Sequence, residues 1–289
     1  MQAARSELSR LLAESCEAEG LSEGAAEWCS DQGVLQRYVD CANANGCPAE
    51  QNVLFLTRTA AWREEMRVDG MGEDEALRQV ELKLRALMLY HLSRDSTGRP
   101  LMIQRVGAWD VAALTEFTSA HHEDVMRAHV LVDEWIRQQV DRLAIENPIP
   151  LQRQAVLIFD MEGLSWAHLS ATSLMSLFSS MCKLDSDHFP DTVRPQPRGK
   201  TIPNAGPCLF SILGTIYIVN CSRMFSTLWS VVSNFVAEST CNKVRVFSWN
   251  EQDAMKEALL ATCGADFLPQ ELGGKQVNAP PYVLETACP

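Results

Sequence analysis

The residues best placed for covalent chemistry lie in one short stretch. Gly163-Leu-Ser165-Trp-Ala167 follows an apolar run and precedes a helical one, the setting of a G-x-S-x-G nucleophile elbow. Its last glycine is replaced by Ala167, and such a site needs serine, acid and histidine in that order. The last histidine, His188, comes only about twenty residues after Ser165, too few for that sheet geometry. Asp160 and Glu162, two apart, have the types of an acid–base pair. Their place before a helix predicts instead that they serve its N-terminus, where anions are stabilised. His121 and His122 are adjacent, so their rings diverge. The ten cysteines form no C-x-x-C pair, and no metal site is expected. There is no G-x-G-x-x-G and no P-loop. No catalytic residue and no cofactor is assigned.

The elements that carry these residues are those of a globular protein. Of 289 residues, 46% are apolar and 21% charged, which excludes disorder over most of the chain. The net charge of −12 argues against a nucleic-acid partner. No apolar run approaches the ~18 residues of a membrane span. The first twenty residues mix both charge signs around no apolar core, so no signal peptide, a cytoplasmic location and reduced cysteines are expected.

Residues 1–92 read as helix throughout, with Val53, Leu56, Ala60 and Arg63 on one face and a helix from Glu75 to His91; no strand is read before residue 100. Beyond it, strands are expected over 101–106, 155–161, 215–220 and 243–248. Helices are expected over about 123–144, 170–184, 224–236 and 253–262. The alternation predicts an α/β fold: a helical N-terminal region (1–92), a mixed, mostly parallel sheet flanked by helices (93–275), and a tail (276–289). Residues 194–213, rich in proline and glycine, occupy a connection where about two to six residues are usual. They read as an inserted loop.

Seven words in order mark the second region: Asp95-Ser-Thr-Gly-Arg-Pro-Leu101, Arg105-Val-Gly-Ala-Trp-Asp110, Val156-Leu-Ile-Phe-Asp-Met-Glu-Gly163, Phe189-Pro-Asp191, Gly214-Thr-Ile-Tyr-Ile-Val-Asn220, Phe225-Ser-Thr-Leu-Trp229 and Leu268-Pro-Gln-Glu-Leu-Gly-Gly274. Together they resemble the CRAL-TRIO lipid-binding family, of the phosphatidylinositol-transfer and retinaldehyde- and tocopherol-carrier type. The resemblance implies a non-enzymatic carrier that holds one lipid in a closed apolar cavity and exchanges it at membranes. Phosphatidylinositol or a phosphoinositide is the first expectation for the cargo. An isoprenoid-like ligand, or a lipid-sensing or protein-docking module without transfer, is the alternative.

The resemblance also names residues. Ala155, Leu157 and Phe159 would belong to the cavity, and Phe225, Leu228, Trp229 and Val232 to a gate helix over its mouth. Asp191, Thr240 and Lys243 match the family's headgroup positions. An ammonium and a hydroxyl suit a phosphate, and a carboxylate suits inositol hydroxyls. Asp191 replaces the usual glutamate and reaches less far. Members that take choline lipids carry hydroxyls where this chain has Ala155 and Leu157, which weakens a phosphatidylcholine assignment. In the sequence itself, 224–236 shows two apolar stripes: Met224, Leu228, Val231, Val232 and Phe235, and Phe225, Trp229 and Val236. That suits a helix buried all round, or one touching lipid within and membrane without. Arg194, Arg198 and Lys200 offer local positive charge for docking on an anionic leaflet.

Overall fold

The computed structural model describes residues 2–35, 48–146, 154–188, 213–234, 241 and 243–277. Asp191, Thr240, Phe235, Val236 and residues 194–212 of the expected insertion, with its three basic residues, lie outside that set. Helices α1 (Gln2–Glu19), α2 (Glu23–Ser30) and α3 (Ala49–Met66) pack around their own core of Leu12, Cys16, Cys29, Val53, Leu56 and Ala60. The stripe expected on α3 is buried from Val53 to Arg63. Helix α4 (Glu75–Met88) starts at Asp74, whose carboxylate accepts from Leu77 N–H, and stops at Leu89, which adopts a left-handed φ of 49°.

The chain then enters β1 (Tyr90–Arg94). This corrects the reading of helix to His91 and of no strand before residue 100, and the expected boundary at residue 92 falls inside β1. The strand is short, and its Tyr90 and Leu92 continue an apolar spacing already set by the helix, so periodicity alone could not separate them. A hairpin joins β1 to β2 (Pro100–Gln104). Asp95 builds it: Oδ1 accepts from Thr97 N–H and Arg99 N–H, and Oδ2 accepts from Arg99 Nε at 2.6 Å. Gly98 supplies the positive φ of 84°. Arg99 also reaches the Thr262 carbonyl. The D-x-x-G-R-P word is thus a turn that clamps a distant helix end.

Three parallel strands follow: β3 (Ala155–Asp160), β4 (Leu213–Cys221) and β5 (Val244–Ser248). The sheet order is β1-β2-β3-β4-β5, with β1 antiparallel and the rest parallel. The mixed, mostly parallel sheet is as expected. Leu213 pairs with Ala155, so the expected insertion 194–213 overruns the strand by one residue.

Alternation divides the sheet into two faces. Val156, Ile158, Tyr217 and Val219 point to one side. There they meet Met255, Leu259 and Cys263 of a helix spanning Gln252–Cys263. Each such buried aliphatic side chain contributes roughly 1.5–3 kcal/mol. Leu157, Phe159, Ile216 and Ile218 point to the other side. That side is covered by α5 (Val111–Ala120), α6 (His122–Glu146), α7 (Trp166–Ser170), α8 (Thr172–His188) and α9 (Phe225–Val232); the Gln252–Cys263 helix is α10.

Buried polar and aromatic contacts tie the N-terminal helices to this layer. Arg63 on α3 donates to Glu134 on α6 at 2.6 Å, and Arg137 donates from Nε to Glu134 at 2.8 Å and from its guanidinium to Asp141. All four side chains are buried. Trp28 of α2 lies under both guanidinium groups, 4.5 Å from Arg63 and 5.6 Å from Arg137, a cation–π arrangement. Trp62 also stacks on His188, with ring centroids 4.0 Å apart and planes 7° apart.

An apolar cavity beneath helix α9

Between the second sheet face and its helices lies a cavity of about 340 Å³, a size suited to holding a small ligand. Leu157 and Phe159 of β3 and Ile216 and Ile218 of β4 form its floor. Met175, Phe178 and Met181 of α8 wall one side. The loop after β2 supplies Val106 and Trp109, whose indole N–H donates to the Met88 carbonyl at 2.7 Å. That loop can press against the end of β3 because Gly107 has no side chain: a Cβ there would lie 2.3 Å from the Glu162 carbonyl oxygen. Gly163, facing it, holds a φ of 91°.

Helix α9 lies over the cavity. Phe225, Leu228, Trp229 and Val232, at i, i+3, i+4 and i+7, all line it. Ser226, Thr227 and Ser230 face outward and are exposed, with Val231 41% exposed beside them. The two stripes read from the sequence are corrected here: residues placed in both belong to one inward face. The error came from assigning Val231 and Val232 to the same side of a helix whose turn separates them by about 100°.

Of the other residues expected at the site, Ala155 is buried at the start of β3 but does not line the cavity; it packs with the helical layer. Lys243, just before β5, donates from Nζ to the Leu213 carbonyl at 2.9 Å. Both Leu213 and the next residue, Val244, line the cavity, so Lys243 stands beside it. Its expected companions Asp191 and Thr240 lie outside the described residues.

The expectation that Asp160 and Glu162 serve the next helix is also corrected. Asp160 Oδ1 accepts from Glu162 N–H at 3.0 Å and from Asn220 Nδ2 at 2.7 Å, bracing the end of β3 against β4. The start of α7 is held by Ser165 and His168 instead. Ser165 N–H donates to His168 Nδ1 at 3.2 Å, and Ser165 Oγ lies 3.0 Å from the same nitrogen. The residues of the apparent elbow therefore close a helix end. The six cysteines among the described residues carry free thiols.

One polar feature of the cavity was missed in the sequence. His129 and Asp133 of α6 and Asp185 of α8 meet on its wall. His129 Nε2 is 2.7 Å from Asp185 Oδ1 and 3.0 Å from Asp133 Oδ2. Burial alone would lower the imidazole pKa, but the two carboxyl groups outweigh it and raise it to about 9. Burial raises the Asp133 pKa well above the usual carboxylate range, against the pull of His129 and with a further push from Asp185. The i, i+4 spacing of His129 and Asp133 was a visible signal. Asp185 reaches them only through the packing of α6 on α8.

Among the described residues, no helix is long and apolar enough to cross a membrane. The family described as "CRAL/TRIO domain" matches residues 84–195 and 208–274, passing over 196–207. The chain is 24% identical over 220 residues to "Phosphatidylinositol/phosphatidylcholine transfer protein SFH4" of Arabidopsis thaliana, covering 74% of this chain and 31% of that one. It is 22% identical over 247 residues to "Sec14 cytosolic factor" of Schizosaccharomyces pombe, covering 84% and 74%. The chain spans about a third of the length of the plant and insect relatives that it matches. The crystal structure of Sfh5 superposes with a TM-score of 0.57 at 14% identity, over 95% of this chain and 86% of that one, a likeness of fold.

Proposed function

Because this chain belongs to the CRAL/TRIO domain family, we propose that it takes up one lipid in the cavity beneath α9 and exchanges it at membrane surfaces, without covalent chemistry. The observation that carries the reading is the cavity itself, about 340 Å³ and lined chiefly by aliphatic and aromatic side chains. A lipid tail exposed to water costs roughly 0.8 kcal/mol for each methylene, so a carrier needs such a space. Names of relatives, phosphatidylinositol/phosphatidylcholine transfer protein and cytosolic factor, support lipid exchange by a protein of the cytoplasm.

Helix α9 is the moving part in this reading. Swung into water, its four inward side chains would each forfeit roughly 1.5–3 kcal/mol of burial. Swung onto a bilayer interface, they would enter an apolar medium instead. Membrane contact therefore favours opening, and its absence favours the covered state.

For the cargo, phosphatidylinositol remains the first assignment. Lys243, with Thr240, would hold the phosphate, and Asp191 an inositol hydroxyl. Lys243→Ala is expected to weaken inositol-lipid pickup from vesicles by about tenfold, the loss of one charge-assisted hydrogen bond, with the fold intact by circular dichroism. Unchanged pickup by a folded variant would remove the headgroup assignment. Failure of the unaltered protein to move any lipid between donor and acceptor vesicles would remove the carrier reading.

A further inference from the structure

We propose that His129, Asp133 and Asp185 form a polar pole inside the cavity that receives a hydrogen-bond-donating lipid head, a hydroxyl or a protonated amine. The proposal rests on the lipid-cavity reading and selects within it.

The pole stands on the cavity wall, on α6 and α8, among Val132, Ile136, Leu177 and Met181. Three ionisable side chains taken from water into such surroundings are destabilising unless every group is paired. Here the pairing is incomplete. His129 Nε2 makes its hydrogen bond with Asp185 Oδ1 at 2.7 Å. Asp133 Oδ2 lies 3.0 Å from the same nitrogen but receives no hydrogen bond, although it is shielded from solvent. The surface that Asp133 and Asp185 retain, 19% and 36% of their side chains, belongs to a pair of groups lining the cavity.

The neighbouring ion network shows what this triad lacks. Glu134, next in sequence, points toward the N-terminal helices and is met by two arginines. Asp133 and Asp185 share one imidazole between them. Burial favours a proton on Asp133, yet the four carboxyl oxygens of Asp133 and Asp185 still outnumber the donors that His129 Nε2 and that one acid proton supply, so the pole is rich in acceptors. A hydroxyl or ammonium brings the missing donor. A phosphate or carboxylate head would bring further acceptors and negative charge beside Asp185. Polar groups so placed in an apolar pocket fix the orientation of what enters.

The test uses the full chain and displacement of the fluorescent apolar probe N-phenyl-1-naphthylamine from its cavity. Four competitors share one chain length: hexadecan-1-ol, hexadecylamine, hexadecyl methyl ether and palmitate. The alcohol and the amine are expected to displace the probe at concentrations about tenfold below the ether, as one hydrogen bond to a charged or strongly polar partner provides, with palmitate weakest. Asp133→Leu should bind the ether as before and lose that preference.

Equal displacement by alcohol and ether in the unaltered protein, or an unchanged preference in Asp133→Leu, overturns the proposal. Saturable Zn²⁺ binding together with equal displacement would reassign the triad to a metal and overturn it too. If Asp133→Leu does not fold, Asp185→Asn is read instead. Palmitate should then gain about tenfold from removal of the nearby charge, and no gain overturns the proposal. If neither the probe nor any competitor binds the folded protein, the lipid-cavity reading fails along with it, whereas probe binding without head preference spares that reading.

Discussion

Glu134→Ala is expected to lower the free energy of unfolding by about 3–5 kcal/mol, the range for removing one partner of a buried ion pair. Glu134 is met by Arg63 from α3 and Arg137 from α6, and all three are buried. Without the carboxylate, two guanidinium groups stay buried over Trp28 with one fewer counter-charge. Arg137 keeps Asp141, and Arg63 keeps the exposed Asp69. The loss should appear as a lower urea midpoint with little change in slope. A loss below about 1 kcal/mol would place the network among pairs of surface strength.

The same residue sets an acid dependence. Burial would raise the Glu134 pKa, but Arg137 and Arg63 hold it down at about 2. A carboxylate depressed in the folded state contributes stability that is fully present above its ordinary value of 4.5. That contribution is lost as pH falls from there toward 2. Resistance to urea should therefore fall as pH falls through this window in the unaltered protein, and less steeply in Glu134→Gln.

The second large effect is on lipid exchange. Ile216→Trp is expected to cut lipid pickup by at least about tenfold while costing no more than roughly 1–3 kcal/mol of stability. Ile216 is buried in the middle of the sheet and its side chain lines the cavity, so an indole there takes the space meant for the guest. Val219→Trp is the control. Val219 points to the opposite face, into the core shared with Met255 and Leu259 and away from the cavity. That variant should lose stability first and exchange only as a consequence. Normal exchange by a folded Ile216→Trp protein would mean that the cavity is not the lipid site.

How far the sequence revealed this structure depended on whether a residue's neighbours were local. Ala155-Val-Leu-Ile-Phe159 is apolar at every position, as a strand covered on both faces must be, and it is β3 in the structure. Val53, Leu56, Ala60 and Arg63 marked the buried face of α3 by spacing alone. The strand at Tyr90 was hidden because the helix before it ends in a left-handed turn at Leu89 rather than at glycine or proline. Asp160 was misplaced because its partner, Asn220, comes from the next strand. In α9, Val231 and Val232 are equally apolar, and only the sheet beneath decides that Val232 faces the cavity. The polar pole is the extreme case. His129 and Asp133 are one turn apart, yet nothing near them in sequence announces Asp185.

The most direct test of the account is native mass spectrometry of the purified chain, followed by extraction and identification of whatever it carries. The account predicts one lipid per chain, displaced stoichiometrically on exposure to acceptor vesicles and missing from Ile216→Trp. A folded protein that arrives empty and cannot be loaded from vesicles of phosphatidylinositol, or with any of the four sixteen-carbon probes, would contradict it.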